Sequence, residues 1–431
     1  PVSDRCHQKL RARMDKLRVG NPLDKSIDVG AMVDASQVQR VRDMVANNTA
    51  GDVFTMDAIP GEGCFYPPTL ISGLNPADPL MQEEIFGPVL VSTTFRTPAE
   101  AIQIDNNTHY GLAATVWSEN INLALDIAPK LDAGIVWING TNMMDAAAGF
   151  GGVKESGFGR EGGWEGLAAY PKPKGAPKPL KEVAPVTGNG TPADPIDRTA
   201  KLYIGGKQTR PDGGYSTPVW AKSGDLLGHV SKAGRKDVRN AVEAAHAAKG
   251  WSSTTGHLRA QIMYYIAENL AARGDEFADR LNAMQGGKTG AAEVDATVSR
   301  LFTYAAWADK YDGQIHNVPI RGVALAVKQP VGVIGAICPA EAPLLGLVSC
   351  MAPAIAMGNR VILAASEPFP LAATDFYQVL ETSDVPAGVV NIITGSHEEL
   401  APTLAKHLDV DAVWSFSSSD LSETIEKASA G

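Results

Sequence analysis

The sequence predicts an α/β protein built on open, largely parallel sheets, divided by a proline-rich stretch. Three observations carry that expectation. Apolar strand-like runs alternate with helix-like runs in both halves of the chain, the pattern of parallel sheets. Residues 331–415 read β-α-β-α-β-α-β with short loops, the order of an open doubly wound sheet. Between them, Pro171 to Ala200 runs PKPKGAPKPLKEVAPVTGNGTPADPIDRTA, whose prolines remove backbone donors and favour extended backbone. The expected organisation is residues 1–170, a linker over 171–200, and residues 201–431.

The front segment opens with a helix carrying Leu10, Met14 and Leu17 at helical spacing, and Gly20, Asn21 and Pro22 stop it. Val89–Phe95 reads as a strand, Pro98–Asn106 as a short helix and Ala113–Trp117 as a strand. Leu123–Leu131 reads as helical, and Ile135–Ile138 as a buried strand. The rear segment starts with a hairpin around Gly205-Gly206. Two amphipathic helices follow, one with Val238, Val242, Ala245 and Ala248 inward, the next with Leu258, Ile262, Tyr265, Ile266 and Leu270 inward. Then come strands at Val331–Cys338, Val361–Leu363, Val389–Thr394 and Ala412–Ser415. Helices at Leu344–Met357, Leu371–Leu380 and Leu400–His407 separate them.

Over 431 residues, 44% are hydrophobic and 20% charged, ordinary values for a globular chain. The net charge of -10 argues against broad binding to nucleic acid or to anionic membranes. No window offers the ~20 apolar residues of a membrane helix. Cys6, Cys64, Cys338 and Cys350 are scattered without metal-ligand or disulfide spacing, so reduced thiols and a cytoplasmic location are expected. The eight histidines show no paired spacing, and no metal site is expected. The chain does not begin with Met, so its start is expected upstream.

Two strings in the front segment stand out. The first is Glu83-Glu84-Ile85-Phe86-Gly87-Pro88. The second runs from Gly149 to Glu161, GFGGVKESGFGRE, rich in glycine so that its backbone can approach something closely. By itself such a run is commonly a tight surface loop.

Together they resemble the aldehyde dehydrogenase superfamily, with its EEIFGP motif and its later PFGGxKxSGxGRE motif. Asn106, Asn107, Tyr110, Gly111 and Leu112, the Gly134–Asn139 run GIVWIN, RVGNPLD and FYPPTL also fit, in family order. Gly149 departs, since the family has Pro there. The resemblance implies an aldehyde dehydrogenase-like fold, a three-layer αβα arrangement with Rossmann-like parallel sheets. It also implies that Glu84 accepts the hydroxyls of the nicotinamide ribose and that Phe86 lies beside the nicotinamide ring of NAD or NADP. The family's nucleophilic Cys belongs upstream of the opening helix, so no catalytic residue is expected within this chain. Cys6, inside that helix, and Cys64, in the loop before FYPPTL, are misplaced for the role.

Residues 201–431 resemble the front, dinucleotide-binding half of the same family, through YIGGK, Gly286-Gly287-Lys288, Pro330-Val331-Gly332-Val333 and Gly388-Val389-Val390-Asn391. Three ligand elements depart from it. The family's PWNFP, whose Asn donates to an oxyanion, is Pro339-Ala340-Glu341-Ala342-Pro343 here, and the Glu341 carboxylate repels an anion. The ribose-binding K-P-x-E is Ala364-Ala365-Ser366-Glu367, with the Lys lost and Glu367 kept. The pyrophosphate loop F-T-G-S-x-x-x-G runs from Ser415 to Ser422, with Ser417, Ser418 and Asp420 in the cradle and serine in place of both glycines.

Catalytic half, linker and cofactor half in that order imply two tandem copies, the arrangement of aldehyde dehydrogenase family 16, with the second copy degenerate. By this resemblance the whole protein oxidises a small aldehyde with NAD or NADP as a homo-oligomer, a dimer. The first copy binds the cofactor and the second binds none. The chain stops before the family's E-L-G-G-K segment with the general base, so alone it is expected to be inactive. The alternative is a non-catalytic scaffold with both copies dead.

Overall fold

The computed structural model describes residues 2–48, 50–171, 174, 183–184, 186–188, 197–319 and 322–430. The chain divides into two compact units, residues 1–173 with 315–325, and residues 174–314 with 326–431. Most of the 171–200 stretch lies outside the described residues. Within it, Val183 and Val186 pack on the core of the second unit.

The first unit runs α1 (Val2–Met14), α2 (Ala35–Ala46), β1 (Asp52–Thr55), β2 (Thr69–Ser72), α3 (Pro79–Gln82), β3 (Val89–Ser92) and α4 (Pro98–Asn106). It continues with β4 (Tyr110–Gly111), β5 (Ala113–Val116), α5 (Ile121–Ile127), β6 (Ile135–Ile138), β7 (Val153–Lys154) and α6 (Gly163–Leu167). The single parallel sheet expected over residues 1–170 is instead, among the described residues there, three small ones. The first has the order β1-β2-β3, with β2 parallel to β3 and β1 antiparallel. The others are the parallel pair β5–β6 and the antiparallel pair β4–β7. The core under the first sheet joins Val38 and Val41 of α2 to Tyr66, Ile71, Leu74, Leu80 and Ile85. The α4 helix has the predicted bounds, because Pro98 at its first position follows an N-cap, Thr97, whose hydroxyl accepts the Glu100 amide. In α1 only Met14 is buried, and Leu17 lies beyond the helix end.

The rest of the chain runs β8 (Leu202–Ile204), β9 (Lys207–Thr209), β10 (Ser216–Trp220), β11 (Leu226–Ser231), α7 (Arg235–Ala247), α8 (Gly256–Ala272), α9 (Gly274–Gln285), α10 (Gly290–Trp307), β12 (Gln314–His316) and β13 (Ala324–Ala326). The wound part follows as β14 (Val333–Ile337), α11 (Pro343–Ala356), β15 (Arg360–Ala364), α12 (Leu371–Asp375), α13 (Tyr377–Glu381), β16 (Val390–Ile393), α14 (His397–Ala405), β17 (Ala412–Ser415) and α15 (Ser419–Ala428). The second unit holds a six-stranded sheet ordered β17-β14-β15-β16-β8-β9, with β14 to β17 mutually parallel and the β8–β9 hairpin closing one edge. Gly205 and Gly206 turn that hairpin at φ 63 and 72, where side chains with a Cβ are disfavoured.

Both faces of the sheet are covered, which is why β14, β15 and β16 are buried throughout. One face carries a core of Val238, Ala241 and Val242 of α7 with Leu400 and Leu404 of α14. The other carries α11 and α8, with Leu344, Leu347, Val348, Met351 and Ile355 fully buried. Each fully buried large side chain contributes about 1.5–3 kcal/mol, so α11 supplies a large share of this layer's stability. On α8 the expected inward face holds at Ile262, Ile266 and Leu270, but Leu258 and Tyr265 are exposed and Met263 is buried instead. The helix expected over 371–380 is interrupted at Phe376. Neither α9 nor α10 was expected.

Candidate functional site

In the first unit Glu84 and Phe86 lie on the turn between α3 and β3. Asp78 caps α3 through the Leu80 amide, and α3 ends at Glu83 in extended backbone. Ile85 then plugs the core at 8% exposure, so its neighbours point outward. The Gln37 side-chain amide donates to the carbonyls of both Ile85 (3.2 Å) and Phe86 (3.1 Å), and the Thr69 amide donates to the Pro88 carbonyl at 2.9 Å. Held at both ends, Phe86 adopts φ 54 and is 67% exposed, with Glu84 exposed beside it. A bulky residue in the left-handed region costs about 1–2 kcal/mol. Here no burial offsets that cost. A fixed carboxylate next to an open aromatic face can accept paired hydroxyls and cover a flat ring.

The glycine-rich run of the same unit approaches its own chain. A Cβ on Gly134 would lie 1.7 Å from the Gly151 carbonyl, and one on Gly151 would lie 2.0 Å from the Gly159 carbonyl. Phe150 and Glu161 exchange backbone hydrogen bonds, both 2.8 Å, closing the loop. Arg160 donates to the Gly152 carbonyl at 2.6 Å. Lys154 donates to the carbonyls of Asn106 and Thr108. Asn139 ties β6 to the end of β5 by bonding both the amide and the carbonyl of Ser118. These motif residues therefore build the frame of the unit. Cys6 is exposed on α1, and Cys64 is half-buried with its carbonyl bonded to the Met32 amide.

In the second unit the strand order reverses between β14 and β17, and the crevice outside their carboxyl ends is where such sheets take ligands. The Phe416 amide donates to the Ile337 carbonyl at 3.0 Å and joins the two strand ends. Glu341, Ser417 and Ser418 all lie here, with Ala364 and Glu367 at the end of the neighbouring β15. Three helix N-termini at this edge, those of α11, α14 and α15, are met by side-chain oxygens of the protein itself. Glu293 of α10 accepts the amides of Leu344 and Leu345, at 2.9 and 3.2 Å, in the first turn of α11. Glu367 accepts the first amide of α14, from His397, at 2.9 Å, and the His397 ring is bonded to the Ala365 carbonyl. Ser418 caps α15 through the Leu421 amide. The hydroxyls of Ser417 and Ser422 both meet that of Ser415, at 2.7 and 2.9 Å. Ala364 is fully buried and offers nothing to a ligand.

Glu293 and His397 were missed by sequence reasoning. Glu293 lies 51 residues from its partner Leu344, and no local motif marks it. Among the described residues there is no cluster able to hold a metal, and no helix is long and apolar enough to cross a membrane.

The similarities to known proteins agree with this architecture. The model of the aldehyde dehydrogenase family matches residues 1–175 and 212–431. An aldehyde dehydrogenase of Emericella nidulans is 38% identical over 172 residues, 39% of this chain and 35% of the relative. Aldehyde dehydrogenase B of Escherichia coli is 39% identical over 168 residues, 37% of this chain and 33% of the relative. Among solved structures, the NAD+ complex of an aldehyde dehydrogenase from Bacillus cereus shares 28% identity at a TM-score of 0.52, over 54% of this chain and 49% of that one. A 3,6-anhydro-L-galactose dehydrogenase in complex with NAP shares 26% at the same score, over 54% and 50%. The chain thus spans about a third of the curated relatives it matches and about half of the solved structures. With family matches over most of its length and a wound sheet of the corresponding kind, the chain belongs to the aldehyde dehydrogenase family.

Proposed function

We propose that this chain is part of an oxidoreductase that oxidises a small aldehyde to the carboxylic acid with NAD or NADP, by way of a Cys thiohemiacetal. In this reading residues 1–170 are the catalytic half of one aldehyde dehydrogenase copy, and 171–200 are a linker. Residues 201–431 are the dinucleotide half of a second, degenerate copy, as in the tandem family 16. The observation that carries it is Phe86, held exposed at φ 54 beside Glu84 on a turn fixed by Gln37. Residues held in this backbone region cluster at ligand sites, and the exposure of Phe86 sets it apart from Lys154, whose φ of 55 serves the frame. Glu84 would hold the ribose hydroxyls and Phe86 would cover the nicotinamide ring. The bound nicotinamide supplies the acceptor for hydride, and the aldehyde is the partner. The nucleophile and general base belong to segments outside these residues, so the chain alone is inactive. A cytoplasmic homodimer fits this reading.

The second copy binds no cofactor in this reading. Ser418 takes up an amide of the loop that would cradle the pyrophosphate, Ala364 stands where the family has the ribose-binding Lys, and Glu341 puts a carboxylate where the family has an oxyanion donor. The same features favour the scaffold alternative, if the first copy is equally spent. The test is the reading frame upstream of Pro1, together with NADH formation from propionaldehyde by the whole gene product. A G-Q-x-C segment, with activity that Glu84→Gln lowers through cofactor KM, supports the enzyme. Another residue at the Cys position, with no NADH formed, leaves the scaffold.

A further inference from the structure

Asn139 directly follows β6, and Gly140 comes next. The chain holds two Asn-Gly pairs, this one and Asn189-Gly190. Such a pair is chemically vulnerable. Glycine has no Cβ beside its amide nitrogen and bends freely, so that nitrogen can reach the side-chain carbon of the asparagine before it.

The backbone is held on one side of this pair and free on the other. The Asn139 amide donates to the Val116 carbonyl at 2.9 Å, while the Gly140 amide donates to no described residue. Asn139 is exposed, at φ 51 in the left-handed region. Its side chain carries both halves of the tie to Ser118. The Oδ1 atom accepts the Ser118 amide at 2.8 Å, and the Nδ2 amide donates to the Ser118 carbonyl at 2.9 Å. The donor on Oδ1 lies where negative charge develops when a nucleophile adds to the side-chain carbon. Beyond Gly140, the Met143 carbonyl accepts the Trp137 indole N–H at 2.9 Å, so the short loop is pinned at both ends.

We propose that Asn139 is a site of spontaneous deamidation, and that its conversion opens the tie between β6 and the end of β5. The Gly140 nitrogen attacks Cγ of Asn139. A C–N bond forms, the Cγ–Nδ2 bond breaks, and Nδ2 leaves as ammonia with the proton from the Gly140 amide. Water then opens the cyclic imide to aspartate or isoaspartate. In aspartate a carboxylate oxygen replaces Nδ2, so the Ser118 carbonyl loses its donor and faces an acceptor. In isoaspartate the side-chain carbon becomes part of the main chain, and the tie is lost outright. The proposal stands independently of the cofactor reading.

The test incubates the folded full chain in alkaline buffer and samples it by peptide mapping. Mass reports the change from asparagine to aspartate, and labelling by isoaspartyl methyltransferase reports the other product. Asn189-Gly190 serves as the internal clock. The expected result is conversion of Asn139 by the time Asn189 has converted, ahead of every asparagine not followed by glycine. Gly140→Ala, whose methyl closely meets only the end of the flexible Met143 side chain, suppresses the conversion while circular dichroism stays that of the parent. Asn139→Asp, which mimics one product, is digested faster within residues 1–170 than the parent. An Asn139 left intact after Asn189 has fully converted, equal conversion in Gly140→Ala, or parental digestion of Asn139→Asp overturns the proposal.

Discussion

In the first unit Phe86 stands out of the surface, 67% exposed and in the left-handed region, on a turn clamped by Gln37. In the second unit the amides that open α11, α14 and α15 are already bonded to Glu293, Glu367 and Ser418. One region holds groups outward against a conformational cost, and the other has turned its donors inward. The exposed ring costs backbone strain that no burial offsets, while the caps satisfy amides that any helix opening leaves without partners.

The comparison breaks first where the frame of the first unit is tightest. Gly134→Ala sets a methyl against the Gly151 carbonyl and should cost about 3 kcal/mol or abolish folding of that unit. Protease resistance of residues 1–170 reads this directly, and an unchanged digestion pattern would refute the close approach. Next, Glu293→Ala strips two amides of their acceptor in the first turn of α11 and should destabilise the second unit by about 2 kcal/mol. Urea unfolding monitors it. A change below measurement error would mean that the cap contributes nothing.

Phe86→Gly should act with the opposite sign. It relieves the left-handed strain without losing burial, so the chain should gain about 1 kcal/mol. In the whole protein the same substitution should raise the KM for cofactor. A loss of stability would show that Phe86 packs on something in its own unit.

The smallest effect is confined to alkaline pH. The Tyr203 phenol is pushed up to about 12 by burial and then by the Glu381 carboxylate, from an ordinary 10.0. Its folded value lies above its unfolded value. Its contribution is therefore complete below pH 10 and is lost as pH rises towards 12. Tyr203→Phe should flatten the fall of stability across that window, as followed by circular dichroism. A parallel fall in both proteins would remove Tyr203 as the cause.

The strands of the wound sheet were legible because burial on both faces makes them continuous apolar runs, as at Val333–Ile337 and Arg360–Ala364. The α4 helix was legible because its cap and proline are local signals. By contrast α10 was not, because its buried positions Val294, Thr297, Leu301 and Ala305 include weakly apolar residues, while the exposed Phe302 and Trp307 blur the periodicity. Of the parallel pairs of the first unit, β3, β5 and β6 were legible as strands and β2 was not, and the separation into small sheets depends on non-local pairing. Departures at Glu341, Ala364, Ser417 and Ser418 were legible against a family pattern. The self-capping was not, since Glu293 reaches α11 from a helix in a different part of the chain. Likewise the glycine-rich run was read as open to an unknown neighbour, and the neighbour is its own backbone.

The most direct measurement is a titration of the full chain with NADH and NADPH, followed by energy transfer from tryptophan, with amide resonances of α11, α14 and α15 recorded alongside. The account predicts no saturable binding at millimolar concentration and no shift of the Leu344, His397 or Leu421 amides. Saturable binding that moves those amides and weakens with Asp420→Lys would contradict it, and the second unit would then be a working dinucleotide site.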